Sequence, residues 1–304
     1  MQVWIDDDTA PLRSVAMHVP SPPPEAGAFR AVQIAIAHEM KALRDAKPPG
    51  RRPALPLEVA RFFSIDPRVR AAQVESLAAL LRERGVEVLQ TPAVEGCIGQ
   101  LFSRDVGFVV GATLFLANPE RSDRRREVAS LAAIAARCDD VVRLHAGVIE
   151  GGDVALLPDA VLVGLGEKTE PAALRELAAA LAERGVRKQV VPIELAMEGV
   201  IHLDCVFNAL APDLALVFPP AIAPASLAAL HARFELIEMS LAETCDVRIN
   251  TLSLGPRSVV LHRGSDRLAA ILARRGFETI ALDYDEVGKA FGAFRCTTLP
   301  LRRE

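Results

Sequence analysis

The chain has 304 residues, 51% of them hydrophobic, with 35 Lys plus Arg against 39 Asp plus Glu and a formal charge of -4. That length can bury a large core and allows one large domain or two medium ones. The slight acidic excess and 5% aromatic content supply neither the basic footprint nor the stacking platforms of a nucleic-acid binder.

The N-terminus reads Met1-Gln2-Val3-Trp4-Ile5 and turns acidic at Asp6, Asp7 and Asp8, without the basic start and apolar stretch of a secretory signal; the chain therefore reads as cytoplasmic. Proline-rich stretches at 21–24 and 47–56 predict loops, and the pattern over 33–45 between them predicts a helix that serves as a lid or as a packing appendage.

Leu81-Arg82-Glu83-Arg84-Gly85-Val86 then recurs as Leu181-Ala182-Glu183-Arg184-Gly185-Val186 and, more loosely, as Leu272-Ala273-Arg274-Arg275-Gly276-Phe277. Each copy closes an Ala/Leu-rich amphipathic helix with a Gly stop and leads into a strand, at 86–89, 187–191 and 278–282. Weaker copies place helices over 128–137 and 224–233, followed by strands at 141–144 and 235–237. Short apolar strands at 107–111, 154–157 and 161–164 lie between, the last two joined as a hairpin around Pro158-Asp159. The charge-free stretch 214–232 is broken by Pro219, Pro220 and Pro224, so it reads as strand, loop and helix and not as a membrane span. Helix ends about 40 to 55 residues apart mark repeated units packing round a shared centre. They favour a closed α/β propeller of five units over an open α/β sheet.

Five cysteines, at 97, 138, 205, 245 and 296, have no paired or metal-like spacing, which argues against a disulfide framework or a zinc site. Four read as small core residues. Cys296 differs because upstream motifs could serve it: Phe102-Ser103-Arg104-Asp105, Glu150-Gly151-Gly152-Asp153 and His202-Leu203-Asp204. A thiol is mostly protonated at neutral pH and needs a base or a nearby cation to attack. A substrate guanidinium would supply that cation, His202 could move protons, and a guanidinium taken out of water needs carboxylates such as Asp105, Glu150 and Asp204. Asp153 is expected to hydrogen-bond behind these groups and fix its turn. Singly, each motif has a commoner structural explanation; their conjunction in one repeat architecture points to chemistry.

Those runs, with Arg295-Cys296-Thr297-Thr298-Leu299-Pro300, resemble in order and spacing the guanidine-modifying enzymes of the pentein fold: arginine deiminases, dimethylarginine hydrolases and amidinotransferases. The resemblance covers residues 97–304. It implies a single pentein domain over 1–304, an α/β-propeller of five ββαβ-type repeats around a pseudo-fivefold axis. It also implies a covalent mechanism without metal or cofactor, in which Cys296 attacks the guanidinium carbon to form a thiouronium adduct that water hydrolyses. Asp105 and Asp204 would clamp the guanidinium with Phe102 beside it, Glu150 would hold substrate and His202, and His202 would act as acid and then base. The partner implied is a small guanidino molecule, with no nucleic acid and no membrane, and a homo-oligomer is compatible with it.

The chain leaves no room for the inserted helical domain of long arginine deiminases. Gly166-Glu167-Lys168-Thr169 replaces a carboxylate-binding Arg by Lys168, and Arg124 and Arg126 lie in a basic run where the family often places another. A hydrolase making a ureido product and ammonia or an amine is favoured over an amidinotransferase. An arginine dihydrolase, which tends to carry Asn in place of Asp105, and a non-catalytic pentein binding module are less favoured.

Overall fold

In a computed structural model, which describes residues 1–46, 53–56, 58–97 and 100–304, the three Leu-x-x-Arg-Gly copies end their helices by one local device. Gly85, Gly185 and Gly276 take φ of 76°, 67° and 75°, a left-handed turn that costs glycine least. The next residue then donates back into the helix, Val86 to Leu81, Val186 to Leu181 and Phe277 to Leu272 at 2.9, 3.0 and 3.0 Å, the Schellman closure. Each chain is thereby turned out of its helix into a strand. The loop expected over 47–56 lies in part, at 47–52, outside the described residues.

The chain opens with β1 (Leu12–Met17), α1 (Ala26–Asp45), α2 (Val59–Phe63), α3 (Pro67–Glu83) and β2 (Glu87–Gln90). A hairpin of β3 (Gly107–Val110) and β4 (Thr113–Leu116) follows, then α4 (Ser122–Glu127), α5 (Ala132–Ala135) and β5 (Val141–Arg143). The same order repeats in β6 (Val154–Leu156), β7 (Ala160–Leu165), α6 (Pro171–Glu183) and β8 (Gln189–Glu194), and in β9 (Phe207–Ala211), β10 (Leu214–Val217), α7 (Pro224–His231) and β11 (Glu235–Glu238). After α8 (Leu241–Cys245) come β12 (Leu252–Gly255), β13 (Ser258–His262), α9 (Asp266–Arg274) and β14 (Glu278–Leu282), and after α10 (Asp285–Gly288) comes β15 (Leu299–Arg303).

In every sheet the first strand pairs antiparallel with the second, and the strand after the helical crossover pairs parallel with the second. The fifth sheet is shared by both ends of the chain, with β15 antiparallel to β1 and β1 parallel to β2. Five three-stranded sheets result, and the five-unit reading of the repeat holds. The helix expected over 33–45 starts earlier, at Ala26. The one expected over 128–137 is instead a 3-10 turn at Val128–Leu131 leading into the single turn α5, a segment whose Val and Ser favour the helix interior less than its alanines do.

Burial falls from first strand to last in each unit. β3, β6 and β9 are almost wholly buried, whereas β2, β5 and β14 are buried at no position, which explains why the inner strands read as unbroken apolar runs. Their apolar faces form three clusters between sheets and helices. Among the described residues no helix is long and apolar enough to cross a membrane.

The turns that precede the inner strands meet closely. A Cβ on Gly151 would stand 2.1 Å from the Arg104 carbonyl oxygen and 2.7 Å from that of Gly107, so only glycine lets those two turns touch. Gly151→Ala is expected to cost at least about 3 kcal/mol in urea unfolding, through overpacking against backbone. A loss below about 0.5 kcal/mol, the scale of a neutral surface change, would contradict that contact.

Candidate active site

Each of the five sheets is entered through a tight turn, and the candidate site residues sit on these turns. Asp105 lies in the 3-10 turn Ser103–Val106 before β3, and Glu150 caps Gly151–Asp153 before β6. His202 caps Leu203–Cys205, which carries Asp204, before β9. Cys296 stands in the turn before β15, where Thr297 N donates to Ala293 O at 3.0 Å and the Tyr284 hydroxyl meets Thr297 Oγ1 at 2.9 Å. Arg104 N donates to the Cys296 carbonyl at 3.0 Å, tying the first of these turns to the last.

The fourth turn, before β12, supplies Asn250, which the sequence reading missed. It is fully buried, its Oδ1 accepts from the backbone N–H groups of Ala293 and Cys296 at 3.1 Å each, and its Nδ2 lies 3.1 Å from Cys296 Sγ and 3.1 Å from the Asp204 carbonyl. Asn250 therefore holds the cysteine backbone and offers a donor to its sulfur. The available signal was its position two residues before an inner strand, the place Asp105 occupies before β3.

Cys296, His202, Asp105, Glu150, Phe102, Arg124 and Lys168 line one cavity of about 280 Å³. His202 Nε2 is 2.8 Å from Glu150 Oε2, and its Nδ1 is 3.6 Å from Asp105 Oδ1. That Asp105 oxygen has no hydrogen-bond partner, which leaves an acceptor ready for a ligand N–H. Asp204 stands beside Sγ, at 3.5 and 3.7 Å, with Arg295 Nε at 3.8 Å. Asp153 accepts from Thr169 Oγ1 at 2.6 Å and Leu203 N at 2.8 Å, a structural tie between the second and third turns.

The expected tail-binding cations are placed differently from one another. Lys168 lines the cavity with its Nζ 2.6 Å from Glu120 Oε2. Arg124 is buried and engaged within the protein: Nη2 contacts Asp105 Oδ2 at 2.9 Å and the Phe102 carbonyl at 2.8 Å, and Nη1 pairs with Glu127. Its guanidinium neutralises the acidic cluster. Arg126 is exposed, reaches toward the Gly96 carbonyl at 3.4 Å and does not line the cavity, because it follows Arg124 by two residues on a helix and so faces another way.

Burial opposes the imidazolium of His202, but Asp105 and Glu150 outweigh it and raise its pKa to about 10. Burial likewise pushes Glu150 up, yet the hydrogen bond and charge of His202 prevail and leave its pKa lowered. Burial raises Asp105, and raises Asp153 to about 7. Cys296 is pushed well above the usual thiol value, first by burial and then by Asp204 and Asp105. The site thus pairs a protonated thiol with a charged imidazole. Asp105, Glu150 and His202 each offer one ligand atom within 4.8 Å of the others, so a divalent cation is a geometric alternative to an organic cation there.

The sequence matches the arginine deiminase family over residues 99–236. It is 35% identical over 232 residues to the uncharacterised protein YkgA of Bacillus subtilis (strain 168), covering 76% of this chain and 79% of that protein. It is 30% identical over 243 residues to the N(G),N(G)-dimethylarginine dimethylaminohydrolase of Mycobacterium tuberculosis, covering 78% and 77%. The dimethylarginine dimethylaminohydrolase of Pseudomonas aeruginosa, solved with citrulline, superposes with a TM-score of 0.73 at 19% identity over 95% of this chain and 99% of that one.

The raised pKa stabilises the folded chain below about pH 6.5, and that contribution fades as pH rises through about 10. An NMR titration of His202 should therefore show an imidazolium through neutrality with a midpoint near 10; a midpoint near 6.5 would remove the Asp105 and Glu150 contribution. A Cβ on Gly152 would stand 2.6 Å from His202 Nδ1 and 2.9 Å from Asp105 Oδ1. Gly152→Ala should displace the imidazole and move the His202 midpoint away from about 10, as read by the same NMR titration on a purified, folded variant; an unchanged midpoint would contradict the contact.

Proposed function

The chain belongs to the guanidine-modifying pentein superfamily, and from that premise we propose that it hydrolyses a C–N bond of a small guanidino compound through a covalent adduct on Cys296. The observation that carries the proposal is the convergence of a thiol, an imidazolium and two carboxylates from four different sheets on one cavity. Nothing in the packing of the core requires four ionisable groups to be gathered there, and burying them costs several kcal/mol unless a partner compensates.

A guanidinium entering the cavity places an N–H on the unpartnered Asp105 Oδ1 and another toward Glu150. Its positive charge offsets the carboxylates that hold the Cys296 proton on, so the thiol gives its proton up to solvent when substrate is present. Asn250 Nδ2, 3.1 Å from the sulfur, is positioned to donate to the thiolate. Sulfur attacks the guanidinium carbon, and the tetrahedral adduct collapses as His202 gives its proton to the leaving nitrogen. Ammonia or an amine departs and a thiouronium remains on Cys296. The now neutral His202 takes a proton from water, whose oxygen attacks the same carbon. Expulsion of the thiolate, with transfer of the hydroxyl proton to the sulfur, releases the ureido product and restores the thiol.

Assays for ammonia and ureido product with arginine, methylated arginines, agmatine and guanidino acids test this reading; absence of turnover with all of them between pH 6 and 9 would count against it. Cys296→Ser should lower turnover at least about a thousandfold while leaving the fold intact. In the free enzyme, alkylation of Cys296 by neutral iodoacetamide should rise only above pH 9, the ordinary thiol value that Cys296 exceeds. The cationic 2-chloroacetamidine should label it at neutral pH, and equal pH profiles for the two reagents would refute ionisation of the thiol by the substrate's charge.

A further inference from the structure

The cavity that Cys296 lines is also roofed by α1, which presents Val32, Ile36 and Met40 to it at four-residue intervals, one face of the helix. Beneath that roof lies Arg70 of α3, 2% exposed, with its guanidinium carbon 4.3 Å over the Phe29 ring. Its Nε and Nη2 have no hydrogen-bond partner, and no carboxylate stands within ion-pair distance of it among the described residues. Glu286 acts on it through space but bonds to Asp66 N and Lys289. Burial lowers the Arg70 pKa only to about 10, so it stays charged at neutral pH. An unpaired buried cation is unfavourable, and ring stacking offsets only part of that; an anion would complete it.

Among the described residues the acids that line the cavity, Asp105, Glu127 and Glu150, pair with Arg124 and His202, and none of them pairs with Arg70. The cavity is thus acidic where the thiol is and basic beneath α1. We infer that the substrate is an ω-guanidino acid lacking an α-ammonium group, its carboxylate received by Arg70 under Phe29 and its methylene chain by the apolar face of α1. Nε and Nη2 are buried, so the wall over them must yield for the carboxylate to reach them. This rests on the hydrolase reading above, with Arg70 as its specificity-determining residue.

The test compares 4-guanidinobutyrate, agmatine, butylguanidine and arginine. The wild-type kcat/KM should favour guanidinobutyrate over the other three by at least about 10-fold, the scale of one charge-assisted hydrogen bond. Arg70→Gln should erase that preference, lowering kcat/KM for the acid about 10- to 100-fold more than for butylguanidine, while Arg70→Lys keeps part of it. Equal losses on every substrate, or no preference in the wild type, would overturn the inference. Calorimetric binding of guanidinobutyrate to Cys296→Ser, with and without Arg70→Gln, reads the same contact without turnover: a Kd weakened about 10- to 100-fold supports it and an unchanged Kd overturns it. Failure of 2-chloroacetamidine to label wild-type Cys296 would instead strike the hydrolase reading, leaving the calorimetric result to decide on Arg70.

Discussion

Burial of like charges at the meeting point of five turns is the constraint on which the rest of this structure depends. Asp105, Glu150, Asp153 and Asp204 are all at most 4% exposed, and such a group can exist only if protons or cations share the space. Arg124 and His202 provide the cations, and a pKa near 7 lets Asp153 carry a proton in part. The arrangement leaves one Asp105 oxygen unsatisfied and the Cys296 proton firmly held. Both defects are removed by the same thing, a flat cation with several N–H groups. On the reading proposed above, the cation that completes the site electrostatically would also ionise the thiol.

A second buried charge group supports the first from below. Asp8 contacts Arg295 Nη2 at 2.8 Å and lies 3.9 Å from Arg104 Nη1, and their attraction holds its pKa near 2 against burial. Arg295 also donates to the Val154 carbonyl at 2.8 Å and faces Asp204. The neighbours of Asp105 and Cys296 in sequence, Arg104 and Arg295, thus share Asp8 as a partner, whereas Asp105 and Cys296 line the cavity. Alternation along an extended or tightly turned chain produces that division: one residue serves the chemistry and the adjacent one ties its turn to the core.

Much of this was legible in the sequence because backbone signals are local. A glycine after a Leu-x-x-Arg run predicts a helix stop, and strand 278–282 was placed to the residue. The motifs that hold Asp105, Glu150, His202 and Cys296 were legible because their residue types are costly to bury without purpose. Asn250 gave no such signal, since an amide beside a strand looks like ordinary turn chemistry. Arg124 could be placed near the site but not paired with Asp105, which reaches it from another element, whereas its other partner Glu127 lies three residues on in the same helix. Arg70 sits in an amphipathic helix where arginines normally face water, and only the roof laid over it by α1 shows that this one does not.

The close approach of the turns has a further effect on how the molecule loses its power to react. No local stretch of chain fixes the spacing between Cys296 and Glu150; it is set by how five wedges lean on one another about a hub. A slight tilt of any wedge leaves its own ladders whole while carrying one reactive group away from the rest, and catalysis is sensitive to shifts of about an ångström. Heat should silence the catalyst before it melts the polymer, and a molecule lodged at the hub, touching several wedges together, fastens them as a linchpin does.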